Sequence, residues 1–540
     1  MSSHHPQNED EPQYKGHTKS ANQFVIAQMV ALVSGLGVQS IAAHQLANEE
    51  YARFTIVHSM LLLSNCLLCG IIPRIAARKV SIEPNTLRGI LTSLSWCHLL
   101  FCTIFAGALV LFRHNIGRFT GDAQLSVLVI NASVLIFIQC GVVEPCWYLL
   151  NGLKRHSAQA TYIAIHGILR CVLVCLFVLY SPTASSAVWG IVWTSALSAF
   201  LAGHKIVRVY VKSPYHQSDD RIPLAELWSW TKYSTLVDVS LYAGVASNLW
   251  LVKSRIHDEK IVASFAVCYV LAQTNLAIFR AISRGFFSNF ARACSNQHQQ
   301  QCREILASAT RLMITFVSLE LAVMYCIGPA FIKWFSGIEI DSRELPVLLL
   351  SATAATGIII VFSEFLVAAS KIRTRFVVSI LFAVLITLLN SLVINSYGLR
   401  GVCFAFLAGS LITLTVLISL CVRIFGSWNA WYSLARCSAA AATSLLICLV
   451  VMEPPQGLVQ ILLVTAMLVS LYLTLLLVIG EITFGELLIA VSYLNRKFSR
   501  FNPAKADIET QLIAEPVDTD SLRTKPLGTT TGFPTTSEKL

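Results

Sequence analysis

Apolar residues in this chain run in long unbroken stretches, with neither the alternation of half-buried strands nor the short amphipathic period of surface helices. The clearest unit is a hairpin near the N-terminus. One apolar stretch ends near Ala43, and the polar turn His44-Gln45-Leu46-Ala47-Asn48-Glu49-Glu50-Tyr51-Ala52-Arg53 follows. A second apolar stretch, 54–72, then runs into Pro73-Arg74-Ile75-Ala76-Ala77-Arg78-Lys79. Each arm has about 20 residues, enough for a helix to cross a bilayer core of about 30 Å. The acidic turn and the basic exit are therefore predicted on opposite sides of a membrane. Fourteen stretches of spanning length are predicted: 22–43, 54–72, 89–112, 125–150, 158–180, 187–207, 228–252, 261–282, 305–334, 345–369, 376–394, 402–422, 435–452 and 458–479. The ninth contains Gly328-Pro329, which predicts a kink or tilt.

Composition turns this pattern into a class. Of 540 residues, 55% are hydrophobic and 13% charged, against roughly 25% charged in soluble domains. The chain is expected to be an all-α, polytopic membrane protein. Its first apolar stretch is too long for the h-region of a signal peptide and is expected to act as its own insertion signal. A net charge of +11 would suggest nucleic acid in a soluble protein. Here Lys and Arg favour one side of the predicted membrane by roughly three to one, which places both termini in the cytoplasm and leaves no reason to invoke nucleic acid. Most of the 16 cysteines lie within apolar stretches. The Cys66–Cys69 spacing has no second pair, so these residues read as small apolar filling, with neither a metal site nor a disulfide framework. Gly35-Leu36-Gly37 lacks the third glycine of a dinucleotide fingerprint, and no phosphate-binding loop occurs. No enzyme and no cofactor are expected.

The polar connections divide the chain. Residues 1–21 are expected to form a cytoplasmic tail, 22–207 a first six-helix half, 208–227 a cytoplasmic linker, and 228–422 a second six-helix half. Two additional helices fill 435–479, and 480–540 hold an amphipathic segment and a disordered tail. A shift of 210 residues lays the opening hairpin on the seventh and eighth stretches. Asn22 falls on Lys232, Gln28 on Asp238, Asn48 on Asp258, Glu49 on Glu259, Asn65 on Asn275, and Arg74 on Arg284. Both copies show an acidic turn, a mid-depth Asn and a basic exit. Two pseudo-symmetric halves in the same orientation are a transporter arrangement, with the substrate site at their interface.

Ionisable residues at bilayer depth are costly and usually face a bundle interior or a wet cavity. They are Glu144, followed by Pro145; Arg170, with His166 one turn before it; Lys232; Asp238, with Thr231, Thr235 and Tyr242 around it; Arg311; Glu320; and Glu364. Each has a plainer reading as a structural interhelical pair, such as Glu144 with Arg170. Arg311 and Lys232 can also snorkel to the headgroups. Asp238 is the strongest candidate acid and Arg170 the most central cation. Protons or sodium are expected to couple through Asp238, Glu144 or Glu364.

The segment Leu46-Ala47-Asn48-Glu49-Glu50-Tyr51-Ala52-Arg53-Phe54 resembles the acidic turn of polysaccharide flippases. These are the lipid-linked-oligosaccharide (O-antigen-type) exporters of the multidrug/oligosaccharidyl-lipid/polysaccharide superfamily. Ile72-Pro73-Arg74-Ile75-Ala76 resembles the helix end that follows, although Ala52 stands where a Gly is usual. The resemblance implies a flippase of the bacterial cytoplasmic membrane that carries a polyprenyl-pyrophosphate-linked oligosaccharide for cell-surface polysaccharide (lipopolysaccharide or exopolysaccharide) synthesis. It also implies alternating access, with polysaccharide assembly proteins as partners. Arg170, Lys232 and Arg311 would then pair with the pyrophosphate, Arg74 and Arg284 would make first contact, and Asn65 and Asn275 would meet sugar hydroxyls. A cation-coupled multidrug exporter of the same superfamily would want carboxylates and aromatics without a central cation. A membrane glycan polymerase or ligase would want a large outer loop. A scaffold would leave every buried charge paired.

Overall fold

The computed structural model describes residues 11–70, 72–82, 89, 94–212, 224–340, 342–428, 430–452, 455, 457–483 and 485. Their secondary structure is entirely helical. The elements are α1 (Glu11–Gln45), α2 (Asn48–Cys69), α3 (Ile72–Ile82), α4 (Ser95–Leu111), α5 (Arg113–Thr120), α6 (Ala123–Ile138), α7 (Glu144–Gly152), α8 (His156–Tyr180) and α9 (Ala184–Lys212). There follow α10 (Leu224–Arg255), α11 (Glu259–Ser295), α12 (Gln299–Ser336), α13 (Glu344–Ala368), α14 (Ile372–Phe425), α15 (Trp431–Val451) and α16 (Leu458–Val478). Helix α1 begins at Glu11, inside the segment expected as a polar tail. The centre of the expected linker, 213–223, and the C-terminal segment beyond 485 lie outside the described residues.

Twelve described helices are long and apolar enough to cross a membrane, or thirteen if α4 and α5, bent by 53° at Phe112, form one span. Helix α14 runs for 54 residues and contains two of the predicted stretches. It is not one rod. Gly398 has φ 54° and ψ −140°, a conformation open to glycine and strained for other residues. Beyond it the chain returns, because a Cβ on Gly409 would stand 2.9 Å from Ile386 Cγ1. In a straight helix those residues would be about 35 Å apart. Gly398 therefore turns a hairpin, and the two arms of α14 are separate predicted spans.

Pro145 explains a second irregularity. It has no N–H to give. The turn before it, Gln139–Val143, is a π-turn that joins α6 to α7. In that register the carbonyl left without its helical donor is that of Cys140. His98 Nε2 donates to it at 2.9 Å, and Cys69 Sγ lies 3.5 Å away. The irregular turn is thus stitched to α4 and α2.

Helices α1, α2 and α6–α9 pack on one another, as do α10–α14. The two groups meet where α2 lies against α10 and α11, and where α1 reaches α12. One continuous apolar core runs through both, with Tyr51, Phe54, Phe265, Phe279 and Phe362 fully buried. Small residues let backbones close up. A Cβ on Gly152 would stand 2.4 Å from the Ala77 carbonyl oxygen, so α7 lies hard against α3. That contact places Tyr148 beside Arg74. Helix α15 packs on α12, and Tyr472 of α16 donates to the Thr315 carbonyl at 3.0 Å. From Leu476 onward the chain is a separate unit, in which Glu481 N donates to the Leu476 carbonyl at 2.9 Å.

Candidate functional site

Charged side chains gather at the two ends of α2, on the line where the helix groups meet. The first gathering lies at the α1–α2 and α10–α11 turns. The Arg53 side chain is buried, only 5% exposed. Its Nε donates to Asp122 Oδ2 at 2.7 Å and its Nη2 to Asp122 Oδ1 at 3.0 Å, a two-pronged grip. It also pairs with Glu49, Glu50 and Gln124. Glu50 reaches on to accept from the backbone N–H of Ala184 at 2.6 Å, at the start of α9. Across the interface, buried Lys253 stands 3.3 Å from Asp122 and 2.6 Å from Glu259. One network therefore ties α2, α6, α9, α10 and α11 together at this end. Ser40 Oγ adds a further tie by donating to the Phe335 carbonyl at 2.6 Å, joining α1 to α12.

Asp122 also caps α6, accepting from Gln124 N and Leu125 N. Burial pushes its carboxyl up, but Arg53 and then Lys253 outweigh that, and it titrates below the usual carboxylate range. A depressed value in the folded state means stability that is complete above the ordinary carboxylate range and lost as the pH falls through the folded value. Thermal unfolding followed against pH is expected to show an acid limb that flattens in Asp122→Asn.

The second gathering lies at the other end of α2. Gly70 approaches Thr235 of α10 there. Arg74 Nη2 donates to Asp238 Oδ2 at 2.9 Å. Asp238 Oδ1 lies 3.5 Å from Arg375 Nη2, which also donates to Glu364 Oε1 at 2.8 Å. Arg375 is buried, and its Nε has no partner. Arg280 of α11 lies over the Tyr242 ring, 4.7 Å from its centre, near both Asp238 and Arg74. Tyr148 of α7 stands beside Arg74. Among the described residues this cluster holds three arginines against two carboxylates. The Arg74 side chain keeps 43% of its surface accessible although protein surrounds much of it. An anion reaching this place meets a surplus positive charge and an arginine fork that is already accessible.

The structure distributes the expected site residues as follows. Arg74, Asp238 and Glu364 come together in this cluster. Glu144 lies on α7, one turn before Tyr148 and beside Asn65, and accepts from Gln139 Nε2 at 3.3 Å. Arg170 lies in a groove of α1, donates to the Ala31 carbonyl at 3.3 Å and stands near His58 and His166. Among the described residues it makes no ion pair with Glu144. Asn275 is fully buried on α11, facing Glu320, and Arg311 is half-buried on α12. The side chains of Lys232 and Arg284 lie outside the described residues. Arg53, Asp122, Lys253, Arg280 and Arg375 escaped sequence reasoning. Arg280 and Arg375 sit where cytoplasmic anchoring explains a basic residue equally well. No group of three His, Cys, Asp or Glu able to hold a metal occurs among the described residues.

No protein family and no curated relative matches the chain. Solved structures do. The lipid II flippase MurJ in an inward closed conformation superposes with a TM-score of 0.67 at 14% identity, over 84% of this chain and 98% of that one. An inward-facing multidrug resistance MATE transporter of the MOP superfamily gives 0.60 at 13% identity, over 78% and 98%. A eukaryotic MATE transporter gives 0.56 at 14% identity, again over 78% and 98%. The chain has the fold shared by these flippases and exporters.

Proposed function

We propose that this protein is a flippase that moves a lipid-linked glycan with an anionic pyrophosphate linkage across the membrane. The observation that carries the reading is the arginine-rich cluster at the interface between the helix groups. It combines a positive surplus with an accessible Arg74. Arginine forks match phosphate oxygens two at a time. The turn-end network holds the opposite side shut, so the cargo would enter at the Arg74 end. A pyrophosphate would compete with Asp238 for Arg74. Binding would then load the site and open the Arg74–Asp238 latch in one event, and the helix groups could rock about the α2–α10 contact. Arg375 stays behind as a fixed internal cation for Asp238 and Glu364.

The distribution of Lys and Arg and the flippase-like turn support a bacterial cytoplasmic membrane, with both termini inside and the glycan destined for the cell surface. Under this reading Asn65 and Asn275 are left to polar contacts deeper along α2 and α11. Arg170 supplies a further positive charge within the first helix group.

Binding tests the proposal. Protein in lipid nanodiscs is expected to bind a polyprenyl-pyrophosphate oligosaccharide saturably. Inorganic pyrophosphate should compete, and an uncharged glycolipid should not. Saturable binding of lipophilic cations that pyrophosphate leaves untouched would select a multidrug exporter instead.

A further inference from the structure

Glu320 lies near the middle of α12, where a carboxylate is most costly. It faces Asn275, near the middle of α11. Asn275 is fully buried, and among the described residues no group other than Glu320 meets its Oδ1 or Nδ2. Glu320 Oε2 is likewise buried and unpartnered. Buried polar atoms are nearly always satisfied, so a carboxyl and a carboxamide left to each other at this depth mark a candidate binding site.

Among the described residues no charged side chain is recorded acting on Glu320. On α12, Arg311 and Lys333 are about 14 and 20 Å away along the axis. Helix α13 has no charged residue between Glu344 and Glu364. On α15, Cys437 meets Thr315 and Cys448 lies near Cys326, so the face between them that passes Glu320 is uncharged. The described side chains of α1 include one titratable group, His44, which reaches α12 at Gly337, beyond its end. Among charged groups on α11, Arg280 is engaged with Tyr242. The contrast with Glu144 is informative. That carboxyl also stands beside an asparagine, but Gln139 donates to it as well.

We propose that Glu320 and Asn275 form a proton-binding site that couples movement of the second helix group to a proton gradient. With the proton bound, the Glu320 O–H donates to Asn275 Oδ1 and the carboxyl is neutral. A rearrangement that admits water lets the proton leave to solvent as hydronium, and the resulting carboxylate is stable only in that wet state. A proton needs one acceptor, whereas a sodium ion wants several oxygen ligands. The dyad offers one carboxyl and one carboxamide oxygen, which favours the proton. The binding site stands whatever the cargo; its place in transport rests on the flippase reading.

Infrared difference spectroscopy on purified protein in nanodiscs tests the site without cargo. The wild type is expected to show a protonated-carboxyl stretch that is lost at high pH, is missing from Glu320→Gln, and shifts in frequency in Asn275→Ala. If Glu320→Gln does not fold, the Asn275→Ala shift carries the test. No such band in the wild type, a band left unshifted by Asn275→Ala, or a band removed by sodium at constant pH overturns the proposal. In vesicles, a pH gradient should accelerate glycolipid translocation by the wild type and Glu320→Asp, with the acceleration lost in Glu320→Gln. A full response in Glu320→Gln also overturns it. An intact infrared titration without any translocation would sink the flippase reading and leave the site standing.

Discussion

Replacing Arg53 with alanine is expected to remove about 3–5 kcal/mol of stability and leave little folded protein. The reason lies in what stays behind. Asp122, Glu49 and Glu50 all converge on this one guanidinium, and the Asp122 side chain is as buried as Arg53 itself. Lys253, at 3.3 Å from Asp122, cannot compensate, because it already serves Glu259. A buried carboxylate that loses its partner costs more than the pair itself contributed. A protein with ordinary stability of about 5–15 kcal/mol tolerates that poorly. Arg53→Lys should recover only part of the loss, because an ammonium cannot grip both Asp122 oxygens in a fork. The monodisperse fraction after detergent extraction and the apparent Tm read both effects. An Arg53→Ala protein that extracts and melts like the wild type would show that the network contributes nothing.

The second large effect concerns transport. Arg74→Ala is expected to lower glycolipid translocation roughly a hundredfold. Losing one two-pronged, charge-assisted contact to a pyrophosphate removes about 2–3 kcal/mol, and each 1.4 kcal/mol is a factor of ten. The partner substitution should go the other way in binding. Asp238→Asn frees Arg74 from its internal competitor and is expected to tighten pyrophosphate-lipid binding. Opposite signs from two ends of one ion pair distinguish a latch from a structural pair, whose loss would weaken folding from either side.

Much of this was legible in the chain. The apolar stretches locate the spanning helices, including the two arms of α14, because a bilayer demands length and continuity of apolar residues. The acidic turn and the Pro73-Arg74 exit announce the ends of the opening hairpin. Pro145 points to the irregularity between α6 and α7, although not to the His98 side chain that repairs it. What stayed hidden depends on distance in sequence. Arg53 sits in plain view, but its partner Asp122 is on another helix and Lys253 lies in the other helix group. Arg280 and Arg375 are ordinary basic residues near helix ends until the fold brings them around Asp238 and Tyr242. The pairing of Arg74 with Asp238 joins two residues to which the sequence assigns different roles, one for cargo and one for ions.

The most direct test reconstitutes the purified protein in vesicles loaded with a polyprenyl-pyrophosphate oligosaccharide and follows its movement between leaflets with a membrane-impermeant glycan-modifying probe. Translocation by the wild type, nearly abolished by Arg74→Ala in protein that still folds, is the predicted result. Equal translocation by both proteins, or none above empty vesicles for either, would contradict the proposed role of the arginine cluster.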